Sequence, residues 1–383
     1  MRALVIDQGL DRGSLAAVRA LARDGWVVGV GSPFRGLAGS SRAVARWHPV
    51  PAAQDGVDRY IDAVAAAVAS GGYEVVFTAD DIGVLALSRH REEIGAVFPY
   101  APHENVVRAL DKLELTRAAA RVGLGTPATA EADAEAIAAA RWPAVVKPRL
   151  HSALLPGAPG RLSVQIVDGP ADARRAIDGI RRAGVEPVLQ ELVAGRLMSC
   201  HAVLDREGRV VARAQQVSQR VWPAEVGVFV RASTVRVDPA LAALVAGLLR
   251  DLGWFGLASI QFLQPRDGGA PRLIDLNGRF YGSLALAVAS GPSYPAIWAR
   301  LATGRPVGPV PASRPGVSFQ WLKRDLQASL RSDGARGTLA ALRCSPGAVH
   351  SVWSRNDPWP AIRHYAPEAA TRASGAVRAL LRG

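Results

Sequence analysis

The sequence predicts an α/β and α+β protein: a parallel, Rossmann-like N-terminal domain followed by a β-rich second half. Three observations carry this reading. Apolar strand runs alternate with helical periodicity over about the first hundred residues. From Pro187 the pattern changes to strands separated by short turns. A chain of 383 residues, 49% of them hydrophobic, has apolar surface enough for two or three domains.

Ala3 to Asp7 reads as a buried strand, Gly9 and Gly13 as a turn, and Ser14 to Arg23 as an amphipathic helix. Val27 to Val30 is the next strand, Asp58 to Ser70 a helix, and Glu74 to Thr78 a strand running into Asp80-Asp81. This βαβ rhythm implies a doubly wound parallel sheet. The first turn lacks the GxGxxG fingerprint, which argues against a dinucleotide site. Asp80 and Asp81 occupy a strand's C-terminal end, where such sheets bind ligands; a helix N-cap before Ile82 is the simpler reading. Glu104 to Val122 reads as one helical stretch, stopped by Gly123, Gly125 and Pro127. A helix over Asp133 to Ala140 leads to an apolar strand, Trp142 to Pro148, that ends in Lys147. Residues 149–161 hold two glycines and two prolines and are expected to form a lid loop. A strand (Ser163 to Val167) and a helix (Pro170 to Ala183) follow. Further on, strands are expected at Val188 to Leu192, Met198 to Leu204, Arg209 to Gln215 and Val228 to Val235, then a helix from Pro239 to Leu252. Gly256 to Leu263 and Arg272 to Leu276 form a hairpin, and Ser283 to Ala289 a helix. Beyond Arg314 the expectation is short, basic helical pieces.

The net charge is +13. No Lys/Arg block with interleaved aromatics accompanies it, so the arginines read as a solvated surface and not as a nucleic-acid site. Two distant cysteines, Cys200 and Cys344, form neither a disulfide framework nor a zinc motif, and a cytoplasmic setting fits them. The N-terminal apolar run breaks too early for a signal peptide, and no segment has the apolar length of a membrane span. Only Lys112, Lys147 and Lys323 among the 46 basic residues are lysine. A site that retains lysine in this background uses its compact charge.

The hairpin carries the chemistry. Asp275 and Asn277, two apart on a strand, share a face, and Gln261 on the partner strand reaches it. These are hard oxygen donors of the kind magnesium takes at about 2.1 Å, with phosphate and water completing the shell. No GxxxxGK[ST] occurs, which excludes a P-loop. Lys147 at a strand end and Lys112 at a helix start can reach phosphate oxygens, and the backbone of Gln190, Glu191, Leu192 and Val193 can pair with an adenine edge.

Together these segments resemble the ATP-grasp superfamily, with carbamoyl-phosphate synthetase large-subunit half-domains the nearest likeness. The segments are Asp111-Lys112, Val145-Val-Lys147-Pro, Leu189 to Gly195, Ile260-Gln261-Phe262 and Leu273 to Arg279. The likeness runs from about Asp111 to Gly291. It implies a pre-ATP-grasp domain (residues 1–107), a small lobe with the lid (108–186), a large lobe with the metal site (187–312) and a basic C-terminal extension (313–383). It further implies that Lys112 and Lys147 bind phosphates of ATP, and that Gln190 to Val193 contact adenine. Gln261, Asp275 and Asn277 would hold Mg2+ (or Mn2+), and Arg279 would contact the transferring phosphoryl group. Two departures stand out. The family's ribose-binding acid is Leu197 here, and Asp275 replaces the commoner Glu. The implied reaction activates a carboxylate as an acyl phosphate and couples it to an amine. Arg220 and Arg231 are candidates to grip a substrate carboxylate. Two alternatives are a nucleotide-binding sensor or scaffold that does not ligate, and a basic nucleic-acid binder. Residues 313–383 carry no motif, and packing on the lobes and a homodimer contact both remain open.

Overall fold

The computed structural model describes residues 1–150, 164–224 and 226–365. Its first sheet is the parallel one. Strand β1 (Arg2–Ile6) is buried from Ala3 onward and leads to helix α1 (Arg12–Arg23), whose N-cap Asp11 accepts the Ser14 N–H at 2.7 Å. There follow β2 (Val27–Ser32), β3 (Val44–Pro49), α2 (Val57–Gly71), β4 (Val75–Thr78) and α3 (Asp81–Arg89). The order is β3-β2-β1-β4, all parallel. Asp80 caps α3 by accepting the Gly83 N–H at 2.7 Å, so the capping reading of that residue is right. Strand β3 escapes sequence reading because, as an edge strand carrying Arg46 and His48, it has no apolar run.

The stretch expected as one helix is two, α4 (His103–Leu110) and α5 (Lys112–Arg121). Asp111 breaks it. Its backbone is extended and its carboxylate accepts the N–H groups of Leu113 and Glu114, an alternative to continued helix. Lys112 thereby becomes the first residue of a helix.

The small lobe comprises β5 (Thr129–Glu131), α6 (Ala134–Ala139), β6 (Ala144–Pro148), β7 (Gln165–Val167), α7 (Pro170–Arg182) and β8 (Pro187–Glu191). The antiparallel order is β5-β8-β6-β7, with Val146, Val167, Ile137, Ile177 and Ile180 in its own apolar core. This sheet includes β8 and so crosses the boundary suggested at residue 186. Most of the expected lid, residues 151–161, lies outside the described residues.

The large lobe is built on β9 (Gly195–Leu204), β10 (Val210–Trp222), β11 (Val228–Val235), α8 (Pro239–Asp251), β12 (Gly256–Pro265) and β13 (Arg272–Asn277). Helices α9 (Leu284–Ala289) and α10 (Tyr294–Ala302) follow, then β14 (Ser318–Gln320), α11 (Leu322–Cys344) and β15 (Val349–His350). The sheet order is β13-β12-β9-β10-β11-β14-β15. The C-terminal region therefore extends this sheet, beyond the boundary suggested at residue 312. A three-residue strand falls below what periodicity can reveal.

Asp325, on the first turn of α11, fastens that region. It is fully buried and accepts the Arg231 guanidinium at 2.7 Å and Arg220 at 3.3 Å, while Gln320 donates to it at 2.7 Å. Removing one partner of a buried pair costs about 3 kcal/mol, because charges are left uncompensated. Asp325→Ala is expected to lower unfolding stability by about that amount, read as a reduced urea midpoint.

Candidate active site

The register of the hairpin decides which side chains meet. Gln261 on β12 stands opposite Asp275 on β13, and Ser259 opposite Asn277, so all four share one face. Strand β9 adds Ser199 and His201 opposite Gln261 and Ser259, and β10 adds Gln216 opposite Ser199. The alternate residues Ile260, Phe262, Cys200 and Leu276 are buried on the other face. Period-two alternation thus separates a polar face, carrying the predicted metal ligands, from the core.

The two predicted phosphate lysines come from outside that sheet, Lys147 from β6 of the small lobe and Lys112 from α5. Lys147, near the end of β6, is buried and donates from Nζ to the carbonyl of Ile274 at 3.2 Å, one residue before Asp275. Lys112 is buried as well, and its backbone N–H bonds the carbonyl of Arg149 at 3.1 Å, which ties the start of α5 to the end of β6. Burial first, and then the charge of Lys112, push the Lys147 ammonium down to about 7, with Asp275 acting in the opposite direction. Lys112 also occupies a helix N-terminus, where the backbone dipole disfavours a cation. Lys147 is held where positive charge is costly, and an anion relieves that cost.

Glu191 ends β8, and Leu192 and Val193 lie in its connection to β9, where the lobes meet. Gln190 is buried and donates to Thr129 Oγ1 at 2.7 Å. The Glu191 carboxylate accepts the Ala128 N–H and pairs with Arg272 at 2.9 Å. Its side chain is thus committed to joining β8 to the hairpin, its N–H donates to the Ala128 carbonyl at 2.8 Å, and Gln190 is paired with β5 and β6, so Leu192 and Val193 are the two of the four predicted adenine positions that lie beyond the strand. Leu197 is buried on β9, in an apolar cluster with Phe229 and Leu286.

Arg279 follows the hairpin directly. Its Nε and Nη2 bond both oxygens of Asp81, at 2.9 and 3.1 Å. Burial opposes its charge, but Asp81, with Asp11 and Asp80 behind it, raises its pKa on balance. Sequence reasoning missed Asp81 as a site residue. The available signal was the tandem Asp80-Asp81, two carboxylates where one cap suffices. Arg220 and Arg231 are not among the residues gathered around the lysines; both guanidiniums are held by Asp325.

With the lobes, the hairpin and the two lysines placed, comparison with known proteins becomes informative. A model of the family "ATP-grasp in the biosynthetic pathway with Ter operon" matches residues 188–325, from β8 to the start of α11. Solved ATP-grasp proteins also superpose on most of the chain. This chain has the ATP-grasp fold. An L-amino acid ligase from Bacillus licheniformis matches with a TM-score of 0.60 at 17% identity, over 79% of this chain and 74% of that one. The biotin carboxylase domain dimer of Hydrogenobacter thermophilus 2-oxoglutarate carboxylase, crystallised with MgADP, ADP and bicarbonate, gives 0.64 at 14%, over 82% and 73%. An N5-carboxyaminoimidazole ribonucleotide synthetase in complex with ADP gives 0.60 at 17%, over 82% and 80%. Comparison with curated proteins returns no match.

No helix among the described residues is long and apolar enough to cross a membrane. Nor does any cluster of three or more His, Cys, Asp or Glu side chains among them stand ready to hold a metal ion. The ATP-grasp hairpin here offers one carboxylate and two amides, a donor set that suits a hard cation arriving with its own phosphate ligands.

The depressed Lys147 gives a signature for triphosphate binding. Above pH 7 the ligand-free ammonium is largely deprotonated, and a bound polyanion raises its pKa again. Mg·ATP binding at pH 8 is therefore expected to take up close to one proton, and affinity should fall as pH rises from 7 to 9. Calorimetry in buffers of different ionisation enthalpy measures both. Affinity independent of pH, with no proton uptake, would remove Lys147 from the phosphate site.

Proposed function

We propose that the chain is an ATP-dependent ligase that activates a carboxylate as an acyl phosphate and joins it to an amine. The observation that carries this reading is the convergence of Lys147 and Lys112 on the Gln261/Asp275/Asn277 face, within an ATP-grasp fold. The proteins it superposes on include an L-amino acid ligase and two ADP complexes, one of them with magnesium.

ATP occupies the cleft between the lobes in this reading. The Gln190–Val193 connection pairs with adenine, and the two lysines neutralise phosphate oxygens. Gln261, Asp275 and Asn277 would hold magnesium, which when bound neutralises charge on the β- and γ-phosphates. A substrate carboxylate oxygen attacks the γ-phosphorus, the bond to the β–γ bridging oxygen breaks, and ADP leaves. The amine nitrogen then attacks the carbonyl carbon and inorganic phosphate departs. Arg279, oriented by both oxygens of Asp81, supplies a fixed positive charge beside the reacting groups. Arg220 and Arg231 are committed to Asp325, so a substrate carboxylate would have to displace that residue to reach them. Ribose binding draws on groups other than Leu197, whose side chain offers no acceptor.

ADP release, screened over amino acids and small carboxylic acids with mass detection of product, tests the reading. At least one acid should stimulate release, and an amine should convert it to an amide. Asp275→Asn is expected to lower kcat about 100-fold or more, with the thermal midpoint changed little. Tight nucleotide binding without stimulated release by any acid would replace the ligase by a non-ligating nucleotide sensor. Absence of nucleotide binding would end both readings.

A further inference from the structure

A cavity of about 710 Å³ lies between α1, α9 and the segment after α11, a volume that suits a small molecule. Neither lysine of the nucleotide cleft lines it, nor do Gln261, Asp275, Asn277 or Arg279. Its floor is apolar. Ala16 of α1, Ala285 and Val288 of α9 and Val349 of β15 contribute it, all buried or half-buried. The rim carries Trp353, which is 48% exposed, and the exposed residues Arg23, Arg42 and Arg355.

One carboxylate fixes the walls. Asp357 is 5% exposed. Its Oδ2 accepts Arg19 Nε at 2.8 Å and the Ser41 hydroxyl at 2.5 Å, and its Oδ1 accepts the Arg42 N–H at 3.0 Å. Arg19 also donates to the carbonyls of Val352 and Asp357. Helix α1, the turn before β3 and the segment after β15 are thereby joined, and the walls of the cavity are held in fixed relation. Asp357 is the single acid among the described residues that line the cavity, and Arg19 neutralises it. Arg23, Arg42 and Arg355 make no ion pair among the described residues. Arg23 spends only its Nε, on the Arg19 carbonyl at 3.1 Å. An exposed arginine ordinarily faces water, and this chain has many. Here three from separate segments surround one apolar hollow, which leaves uncompensated positive charge beside a surface that water solvates poorly.

We propose that this cavity is a second ligand site, for an organic phosphate monoester with a flat apolar body. The phosphate engages the guanidiniums of Arg23, Arg42 and Arg355, and the body covers the alanine and valine floor against Trp353. A carboxylate brings one negative charge to three cations and a phosphate monoester about two, which favours the phosphate. A neutral apolar molecule leaves the arginines unanswered. Residues 366–383 do not suit the site, since they set Arg372, Arg378 and Arg382 against the single acid Glu368. A second copy of a chain of net charge +13 is disfavoured by the same repulsion. The site stands apart from the ligase reading, because it requires no nucleotide and carries no covalent step.

Four probes test it: 1-naphthyl phosphate, 1-naphthoate, 1-naphthol and inorganic phosphate. Each is titrated calorimetrically at pH 8 into the full chain without nucleotide. The phosphate ester is expected to bind about tenfold or more tightly than any of the other three. Arg42→Gln and Arg355→Gln are each expected to weaken the ester about tenfold, and Trp353→Ala severalfold, with thermal midpoints unchanged. All three side chains are exposed, and Arg42→Gln keeps the backbone N–H that Asp357 accepts, so the fold is not at stake. Failure of the ester to bind the wild type overturns the site, as does equal binding by the wild type and both arginine variants. Inorganic phosphate bound as tightly as the ester also overturns it, because the cavity would then hold an adventitious ion only. Naphthoate bound as tightly as the ester, or more so, overturns the phosphate assignment.

Discussion

The hydrogen bond from Lys147 Nζ to the Ile274 carbonyl is the contact on which the site depends, because it joins a strand end of one lobe to the hairpin of the other. It places an ammonium beside Asp275. A second buried lysine stands near enough to depress its pKa. Bringing two buried cations this close is a poor arrangement for stability and a good one for a polyanion. Supports on either side hold it in place: Lys112 N–H to Arg149 O, Leu273 N–H to Gly125 O, and Arg272 to Glu191.

Much of the fold is legible in the sequence because its strands are apolar and its turns are marked by Gly and Pro. The period-two pattern of Asp275 and Asn277, and the rarity of lysine, also single out the candidate site before any coordinates. Edge and very short strands were not legible. Strand β3 is polar, and β14 has three residues. The break at Asp111 was missed for a different reason. Helical periodicity continues across it, and only the side chain's competition for the Leu113 and Glu114 N–H groups stops the helix. That break matters for the site, since it turns Lys112 from a mid-helix residue into the first residue of α5, beside the end of β6.

Long-range ion pairs were the other illegible part. Arg220 and Arg231 have the composition of substrate-binding residues, and no local pattern reveals a carboxylate about a hundred residues downstream. Asp325 takes both, and in doing so attaches α11 and β14 to the large sheet. Charge pairing across such a separation is invisible to periodicity, whereas cross-strand pairing within a hairpin is fixed by register.

Arg279 shows how the N-terminal sheet is joined to the hairpin. It belongs by sequence to the hairpin and by contact to α3, through Asp81. The position of its guanidinium is therefore set from the hairpin and from the N-terminal sheet at once. Its charge also reaches Asp11 and Asp80, where it favours the ionised forms that burial opposes. One bidentate ion pair thus fixes a guanidinium among the carboxylates at the strand ends of the N-terminal sheet, and the same charge that joins the hairpin to α3 offsets part of the cost of burying its neighbours.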